Sequence, residues 1–327
     1  MFLSKLLVDI NNFDIKDPAG NGQYGQVYKA IRKVDKKHKE EMQCAVKILL
    51  SDKMKNSDDQ KHFHKEVMCQ ASLNHPAVLP LIGFTLPFMG KGDYAVITEF
   101  MPNNSLQKLI ESVNKGQAPK NWETIKAINI FGIAAGMAYI HQHDIIHRDL
   151  KTENVMLDSN FYPKIADFGF SKVFEQGMEK QISQTLNVGT PVYMAPELLD
   201  DQHYDNTVDV FAYAIILYEL TTLHKPYDDK KNLTTYNLFK FVKDGERPTI
   251  HNREIPDDYV ELISRCWDGA PANRPSFITI VKGLMDFKDV YFDMGLIDEE
   301  VFDDYIDLVT KDLDFSKVPE EDDGAAK

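Results

Sequence analysis

The chain has 327 residues, of which 43% are hydrophobic and 27% charged, a balance typical of a globular protein. Its formal net charge of −14 is concentrated in residues 286–327, which carry fifteen Asp or Glu against four Lys. This acidity argues against a nucleic-acid-binding tail, and no stretch approaches the ~20 apolar residues of a membrane span.

The three cysteines are Cys44, Cys69 and Cys266, and they show neither CxxC nor metal-ligand spacing. This usage predicts a reducing, intracellular environment. We therefore expect a cytoplasmic protein, with a nuclear location left open.

The first motif in the chain is a GxGxxGxV segment. Its members are Gly20, Asn21, Gly22, Gln23, Tyr24, Gly25 and Val27. Alone, such a segment can mark a dinucleotide fold, a nucleotide-binding flap or an ordinary turn. A dinucleotide site needs a helix directly after the glycines, whereas residues 27–31 alternate in polarity and are rich in β-formers. The sequence therefore favours a strand–loop–strand flap.

Apolar runs of strand length follow the flap. The run at residues 44–50 contains one charged side chain, Lys47, which lies either on a solvated face or in a phosphate site. A helix is predicted over residues 58–73, and the runs at 78–84 and 94–100 predict a pair of strands.

Helical periodicity at residues 122–143 predicts a buried helix, and it leads into an unusual stretch at 145–169. There, the short apolar runs at residues 145–146, 155–157 and 164–166 predict short buried strands, and polar turns lie beside them. The polar residues are Asp149, Lys151, Asn154 and Asp167. Such residue types suit phosphoryl transfer, because a carboxylate orients a hydroxyl, a lysine balances charge, and amide and carboxylate oxygens suit Mg²⁺.

This stretch resembles the catalytic loop of protein kinases, H-R-D-L-x-x-x-N, and the metal-binding D-F-G that follows it. The glycine-rich segment, a V-A-I-K-like strand and an A-P-E at residues 195–197 extend the resemblance over residues 20–277. The chain thus resembles a eukaryotic-type protein kinase.

Local choices within the motifs refine the class that the chain resembles. Lys151 in the catalytic loop and Thr190 before Pro191 resemble the serine/threonine kinases. Cys266-Trp267 with the R-P-S-F string after it resembles their tyrosine-kinase-like group.

The resemblance implies an α+β, bilobal fold with a small β-rich N-lobe and a larger, mostly helical C-lobe. The kinase domain would cover residues 13–286. Its parts would be an N-lobe at about 13–98, a hinge at 99–105 and a C-lobe at 106–286. Residues 287–327 would form an acidic tail with one amphipathic helix.

The same resemblance assigns roles to single residues. Asp149 would be the catalytic base, assisted by Lys151, and Lys47 would pair with Glu66 while contacting the ATP phosphates. Asn154 and Asp167 would hold Mg²⁺, with Mn²⁺ as an alternative. The residues that would contact ATP are Gly20, Asn21, Gly22, Gln23, Tyr24, Gly25, Val27, Ala45, Lys47, Thr98, Glu99, Met101 and Met156.

Two structural supports are also implied by the resemblance. Glu197 would pair with Arg274 inside the C-lobe, and Asp209 would hold the catalytic loop through backbone hydrogen bonds. Arg148 would receive a phosphate on the segment after D-F-G, with Ser183 or Thr185 as candidate sites; the alternative is that both are solvated hydroxyls.

Two features depart from the family pattern. Pro18 and Ala19 precede Gly20, which predicts a looser strand start. Gln70 stands four residues after Glu66, where the family has a large apolar side chain, and it would need a hydrogen-bond partner if buried. Alternatively, the helix register differs and Met68 or Cys69 fills the space.

The acidic tail contains apolar residues at helical spacing. These residues are Leu296, Ile297, Val301, Tyr305, Leu308, Val309 and Leu313, and they predict an amphipathic helix. We favour a helix docked on the C-lobe over a regulatory helix that binds a partner.

The function expected from these motifs is a protein serine/threonine kinase that uses ATP and Mg²⁺ on protein substrates in intracellular signalling. The alternative is a pseudokinase that binds nucleotide and partners without transfer.

Overall fold

The computed structural model describes residues 3–21, 25–34, 40–49, 57–87, 93–173, 191–199, 204–230, 233–250 and 255–318. The N-terminal part is an antiparallel sheet with one long helix, and the C-terminal part is mostly helical. The predicted α+β, bilobal architecture is confirmed.

The N-lobe sheet has the strand order β1-β2-β3-β5-β4, and each neighbouring pair is antiparallel. Its strands are β1 (Phe13–Asn21), β2 (Gly25–Arg32), β3 (Met42–Leu49), β4 (Leu81–Thr85) and β5 (Ala95–Glu99). One face carries a small apolar core that includes Cys44, Val46 and Ile97. The other face is left to line the cleft between the lobes.

The hairpin formed by β1 and β2 carries the glycine-rich segment. Gly20 pairs with Val27, so a strand and not a helix follows the glycines, as predicted. The pairing register shifts on both sides of Pro18. This irregularity agrees with the expected looser strand start, because proline has no N–H to donate to a neighbouring strand.

Helix α1 (Ser57–Ser72) is the long helix of the N-lobe. It is anchored by Phe63, whose ring contacts Phe84 and Tyr94 edge-on at centroid distances of 6.3 and 5.1 Å. Aromatic pairs of this geometry add to the free energy gained by burial. The helix is thereby fixed against the sheet.

The C-lobe is built around two helices that are buried on almost every side, α3 and α4. Its helices are α2 (Leu106–Asn114), α3 (Trp122–Gln142), α4 (Thr207–Thr222), α5 (Thr235–Lys243), α6 (Asp257–Cys266), α7 (Phe277–Asp286), α8 (Lys288–Tyr291) and α9 (Glu299–Thr310). No helix in these described ranges has both the length and the apolar character needed to cross a bilayer.

Short strands at the top of the C-lobe carry the polar loops. They are β6 (Ile145–Ile146), β7 (Val155–Leu157), β8 (Pro163–Ile165) and β9 (Lys172–Val173). β6 pairs with β9, and β7 pairs with β8. The apolar runs predicted as short buried strands are therefore confirmed.

The acidic tail forms α9, and this helix packs on α3 as the favoured prediction has it. Phe302 is fully buried, and its ring contacts Phe131 of α3 at 6.1 Å and Phe292 at 4.8 Å. Gly132 makes room for Tyr305, because a Cβ at that position would lie 2.2 Å from the Tyr305 hydroxyl.

The predicted apolar face of this helix was partly wrong. Val301 and Leu308 are exposed, at 36% and 52%, whereas Phe302 and Ile306 are buried. Apolar side chains occur on two sides of the helix, so periodicity could not choose between them. The side that carries Tyr305 packs on α3 next to Gly132.

We predict that Phe302→Ala lowers the free energy of unfolding by about 3–5 kcal/mol, because it leaves a cavity in the main core. Leu308→Ala, on the exposed side of the same helix, should change it by less than about 0.5 kcal/mol. Urea unfolding of the full chain measures both values. Similar small losses in the two variants would show that α9 is not docked on α3 as described.

Candidate active site

The side chain of Lys47 brings three separate segments together at the cleft. Its Nζ atom lies 2.9 Å from Glu66 Oε1 of α1 and 3.4 Å from Asp167 Oδ1, just after β8. Lys47 and Glu66 are largely withdrawn from solvent, whereas the side chain of Asp167 is 33% exposed. A buried ammonium of this kind requires its carboxylate partners.

The pKa shifts in this cluster follow from burial and charge. Burial opposes the charged form of Lys47, but Glu66 and Asp167 outweigh it and raise the pKa of the ammonium. Burial likewise opposes ionisation of Asp167, yet the charges of Lys47 and His147 hold its pKa below the usual range. Lys47 is thus a permanent cation and Asp167 an anion near neutral pH.

The register of the sheet places several predicted ATP contacts on one face. Val27 lies opposite Lys47, and Ala45 lies opposite Thr98. Because side chains alternate along a strand, all four belong to the face turned away from the small core. Gly20 ends this face at the flap.

A second apolar surface meets this face from the C-lobe side. Met101 and Ala166 form a buried cluster, against which Met156 packs. No described backbone carbonyl accepts a hydrogen bond from the Met101 amide, whereas the Glu99 amide donates to Pro80 at 3.3 Å. The cleft therefore has apolar walls, with the backbone amide of Met101 as a donor beside them.

The catalytic-loop residues form a compact hydrogen-bonded group. Lys151 Nζ lies 2.8 Å from Asp149 Oδ2. Asn154 Nδ2 donates to the same carboxylate oxygen at 2.9 Å and to the Asp149 carbonyl at 2.7 Å. These bonds fix the carboxylate in one orientation.

Asp209 of α4 holds this loop from behind, as predicted. Its carboxylate accepts the backbone amides of His147 and Arg148, both at 2.8 Å, and contacts His141 Nε2 at 2.9 Å. Burial opposes ionisation, but the contact with His141 and the other hydrogen bonds lower the pKa of Asp209. The bonds support an Arg148 backbone with a positive φ of 66°.

The two residues expected to hold a metal are adjacent. The amide of Ala166 donates to the Asn154 carbonyl at 2.8 Å, which brings Asp167 next to Asn154. Asn154 uses its Nδ2 on Asp149, and amide oxygens and carboxylates are suitable Mg²⁺ ligands. Within the described ranges, no group of three or more His, Cys, Asp or Glu could hold a metal. Two protein ligands fit a Mg²⁺ that is otherwise bound by water and phosphate.

Gln70 is buried at 3% exposure, and it has the partner that its burial demands. Its Nε2 donates to the carbonyl of Leu79 at 2.9 Å. Met68 is 58% exposed, so the alternative in which it fills the space is wrong. The pairing of Glu66 with Lys47 agrees with the helix register expected from the sequence.

Other predicted groups are found in the C-lobe or lie outside the described residues. Glu197 and Arg274 form the expected bidentate pair at 2.6 and 3.0 Å. Arg148 Nη1 donates to Tyr204 Oη at 2.8 Å. The residues outside the description are Gly22, Gln23, Tyr24, Ser183, Thr185 and Thr190.

Sequence reasoning missed a buried network behind the catalytic loop. Tyr193 Oη donates to Glu219 Oε2 of α4 at 2.5 Å and lies 2.9 Å from Thr152 Oγ1. Burial raises the pKa of Glu219 to about 7. The sequence feature that could have indicated this network is a lone glutamate, Glu219, within the mostly apolar run of residues 208–220.

A two-lobed fold that gathers a strand lysine, a helix glutamate and loop carboxylates at its cleft defines a protein kinase fold. The family model for protein tyrosine and serine/threonine kinases matches residues 13–284. The chain belongs to this family.

Similar proteins carry related descriptions. The chain is 33% identical over 267 residues to the dual specificity protein kinase shkB of Dictyostelium discoideum, covering 80% of this chain and 38% of that protein. It is 32% identical over 281 residues to the serine/threonine-protein kinase STY46 of Arabidopsis thaliana, covering 85% and 45%. The chain thus spans less than half the length of these relatives.

We predict that Glu219 makes folding stability depend on pH. Because its pKa is raised in the folded protein, the protonated form of Glu219 stabilises the fold. This stabilisation is complete below about pH 4.3 and is lost as pH rises through about 7. Glu219→Gln keeps an acceptor for Tyr193 and cannot titrate. Between pH 5 and 6.5, the free energy of unfolding of the variant should rise relative to that of the wild type by about 1.4 kcal/mol per pH unit. Urea unfolding across this range measures the difference, and a constant difference would contradict the raised pKa.

Proposed function

We propose that this protein is an active serine/threonine kinase that transfers the γ-phosphate of ATP to hydroxyl groups of protein substrates. The observation that carries the proposal is the joint placement of Lys47, Glu66 and Asp167 at one end of the cleft. Asp149 and Asn154 are hydrogen-bonded to each other, and Asn154 lies next to Asp167. A kinase domain over residues 13–286 is part of the proposal.

ATP would occupy the space between the two lobes. The adenine ring would lie between Val27 and Ala45 above and Met156 below, with its edge at the Glu99 carbonyl and the Met101 amide. Thr98 would border the rear of this space. The glycine-rich flap at residues 20–25 would cover the phosphates with its backbone amides.

The charged groups would act on the phosphates. The ammonium of Lys47, held by Glu66, would orient the α- and β-phosphates. Asn154 and Asp167 would hold Mg²⁺, or Mn²⁺, which when bound neutralises charge on the phosphates. The low pKa of Asp167 suits this role, because the ligand must be ionised.

Asp149 would receive the proton of the attacking hydroxyl. The bonds from Lys151 and Asn154 leave its carboxylate oriented, so little reorganisation is needed when a substrate binds. Lys151 would also balance charge on the transferred group. Its presence, and the names of relatives such as STY46, support serine and threonine as acceptors.

A regulatory role for the segment after Asp167 belongs to the same proposal. Phosphate on Ser183 or Thr185 would add a negative charge that Arg148 of the catalytic loop can pair with. We also place the protein in the cytoplasm on the basis of its cysteine usage, and we assign it to intracellular signalling because it is proposed to be a protein kinase.

A scaffold that binds nucleotide without transfer is the second candidate. The polar Gln70 beside the site is the observation that favours it, since the family has an apolar residue there. Against it, each group that the transfer needs is present in the sequence. Measured transfer separates the two candidates.

We predict that Asp149→Asn lowers phosphate transfer at least about 100-fold while ATP still binds, because the variant removes only the proton acceptor. Transfer from Mg·ATP to a generic protein substrate and ATP affinity are measured on the same preparation. Mass spectrometry of the product should find phosphate on Ser or Thr.

Asp258→Asn, an exposed carboxylate of α6, is the matched control and should keep full transfer. Asp167→Ala should lose transfer together with Mg²⁺-dependent nucleotide binding. Full transfer by Asp149→Asn would remove Asp149 from the mechanism. Wild-type protein that binds ATP without transfer, also after phosphomimetic changes at Ser183 and Thr185, would favour the scaffold.

A further inference from the structure

The turn after α1, residues 73–79, contacts the C-terminal helix through one buried histidine. His75 is 5% exposed, and its Nε2 lies 2.8 Å from the carbonyl of Val309 in α9. Its Nδ1 accepts a hydrogen bond from the amide of Ala77 at 3.1 Å. Because Nδ1 is the acceptor, Nε2 carries the proton and donates it to Val309.

The ring of His75 is also fixed from the side. It stacks on Tyr139 of α3 at a centroid distance of 4.8 Å and an interplanar angle of 28°. The hydroxyl of Tyr139 accepts the amide of Asn74 at 3.3 Å. The turn after α1 is therefore tied to the C-lobe at consecutive residues.

The same turn is joined to the strand that leads to the active site. The amide of Ile165 in β8 donates to the Ala77 carbonyl at 2.8 Å, and the Leu79 amide donates to the Ile165 carbonyl at 2.9 Å. Asp167 follows Ile165 by two residues. A displacement of the turn would therefore displace β8 and, with it, the segment that leads to Asp167.

The turn is joined to α1 by a side chain that departs from the family pattern. Gln70 Nε2 donates to the Leu79 carbonyl at 2.9 Å, and Gln70 lies about one helical turn after Glu66. A directional hydrogen bond restricts the position of the helix more closely than an apolar contact would. Contacts thus run without a break from Val309 through His75 and the turn to the pair of Glu66 and Lys47.

We propose that α9 positions α1 through His75, so that the C-terminal segment sets the placement of Glu66 against Lys47. His75 is a positioning residue, and it does not touch the reacting groups. The region matched by the kinase family model ends at residue 284, so this contact is an addition of the chain's own C-terminal segment. The consequence for catalysis rests on the proposed function, whereas the placement of α1 does not.

His75→Phe tests the proposal in the full chain. It keeps the aromatic stack on Tyr139 and removes both hydrogen bonds. We expect amide hydrogen exchange of residues 57–72 to become about fivefold faster, the effect of losing a hydrogen bond worth about 1 kcal/mol. We expect kcat to fall by a similar factor with little change in the KM for ATP, because α1 orients the phosphates rather than binding adenine.

Three variants act as controls. His75→Gln retains a donor near the position of Nε2 and should restore slow exchange in α1 and most of kcat. Val281→Ala opens a cavity in α7, far from the turn in sequence, and should lower global stability without raising exchange in α1. Leu308→Ala, beside Val309 on the exposed side of α9, should resemble wild type.

Equal exchange of α1 in His75→Phe and Val281→Ala would overturn the proposal, because the effect would then be global destabilisation. Unchanged exchange and kcat in His75→Phe would overturn it as well. If wild-type protein transfers no phosphate, the kinase proposal fails, and the exchange of α1 still decides the positioning proposal.

Discussion

A single buried ammonium holds the cleft of this protein together. Lys47 on β3 contacts Glu66, 19 residues away on α1, and Asp167, 120 residues away beyond β8. Leaving a buried charge without its partner costs about 3–5 kcal/mol, so neither carboxylate can move off without a large penalty. The sheet, the long helix of the N-lobe and the loop from the C-lobe are thereby constrained to one arrangement.

The C-lobe supports that arrangement with a second buried charge. Asp209 sits in the apolar helix α4 and accepts two backbone amides from the catalytic loop. The loop can therefore keep the strained backbone of Arg148 and present Asp149 and Lys151 to the cleft. Rigid helices behind a polar loop are a recurrent solution where a carboxylate has to be held in one orientation.

The predictions that failed or fell short concern contacts between distant segments. The tail helix has apolar residues on two sides, and only its packing on α3 shows that Phe302 lies inside and Leu308 outside. Gln70 was expected to need a hydrogen-bond partner if buried, and only the structure identifies that partner as the carbonyl of Leu79. In both cases the deciding partner belongs to another element, so no local pattern could have identified it.

The sequence by itself determined the strand–loop–strand flap, the order of the lobes and the residues of the catalytic loop. These depend on local periodicity and on residue types at short spacing. Only the tertiary structure decided that Glu219 lies buried beside Tyr193 and that α9 contacts His75. Those contacts join residues 26 and 234 positions apart, and such pairings arise from packing rather than from the pattern of neighbouring residues.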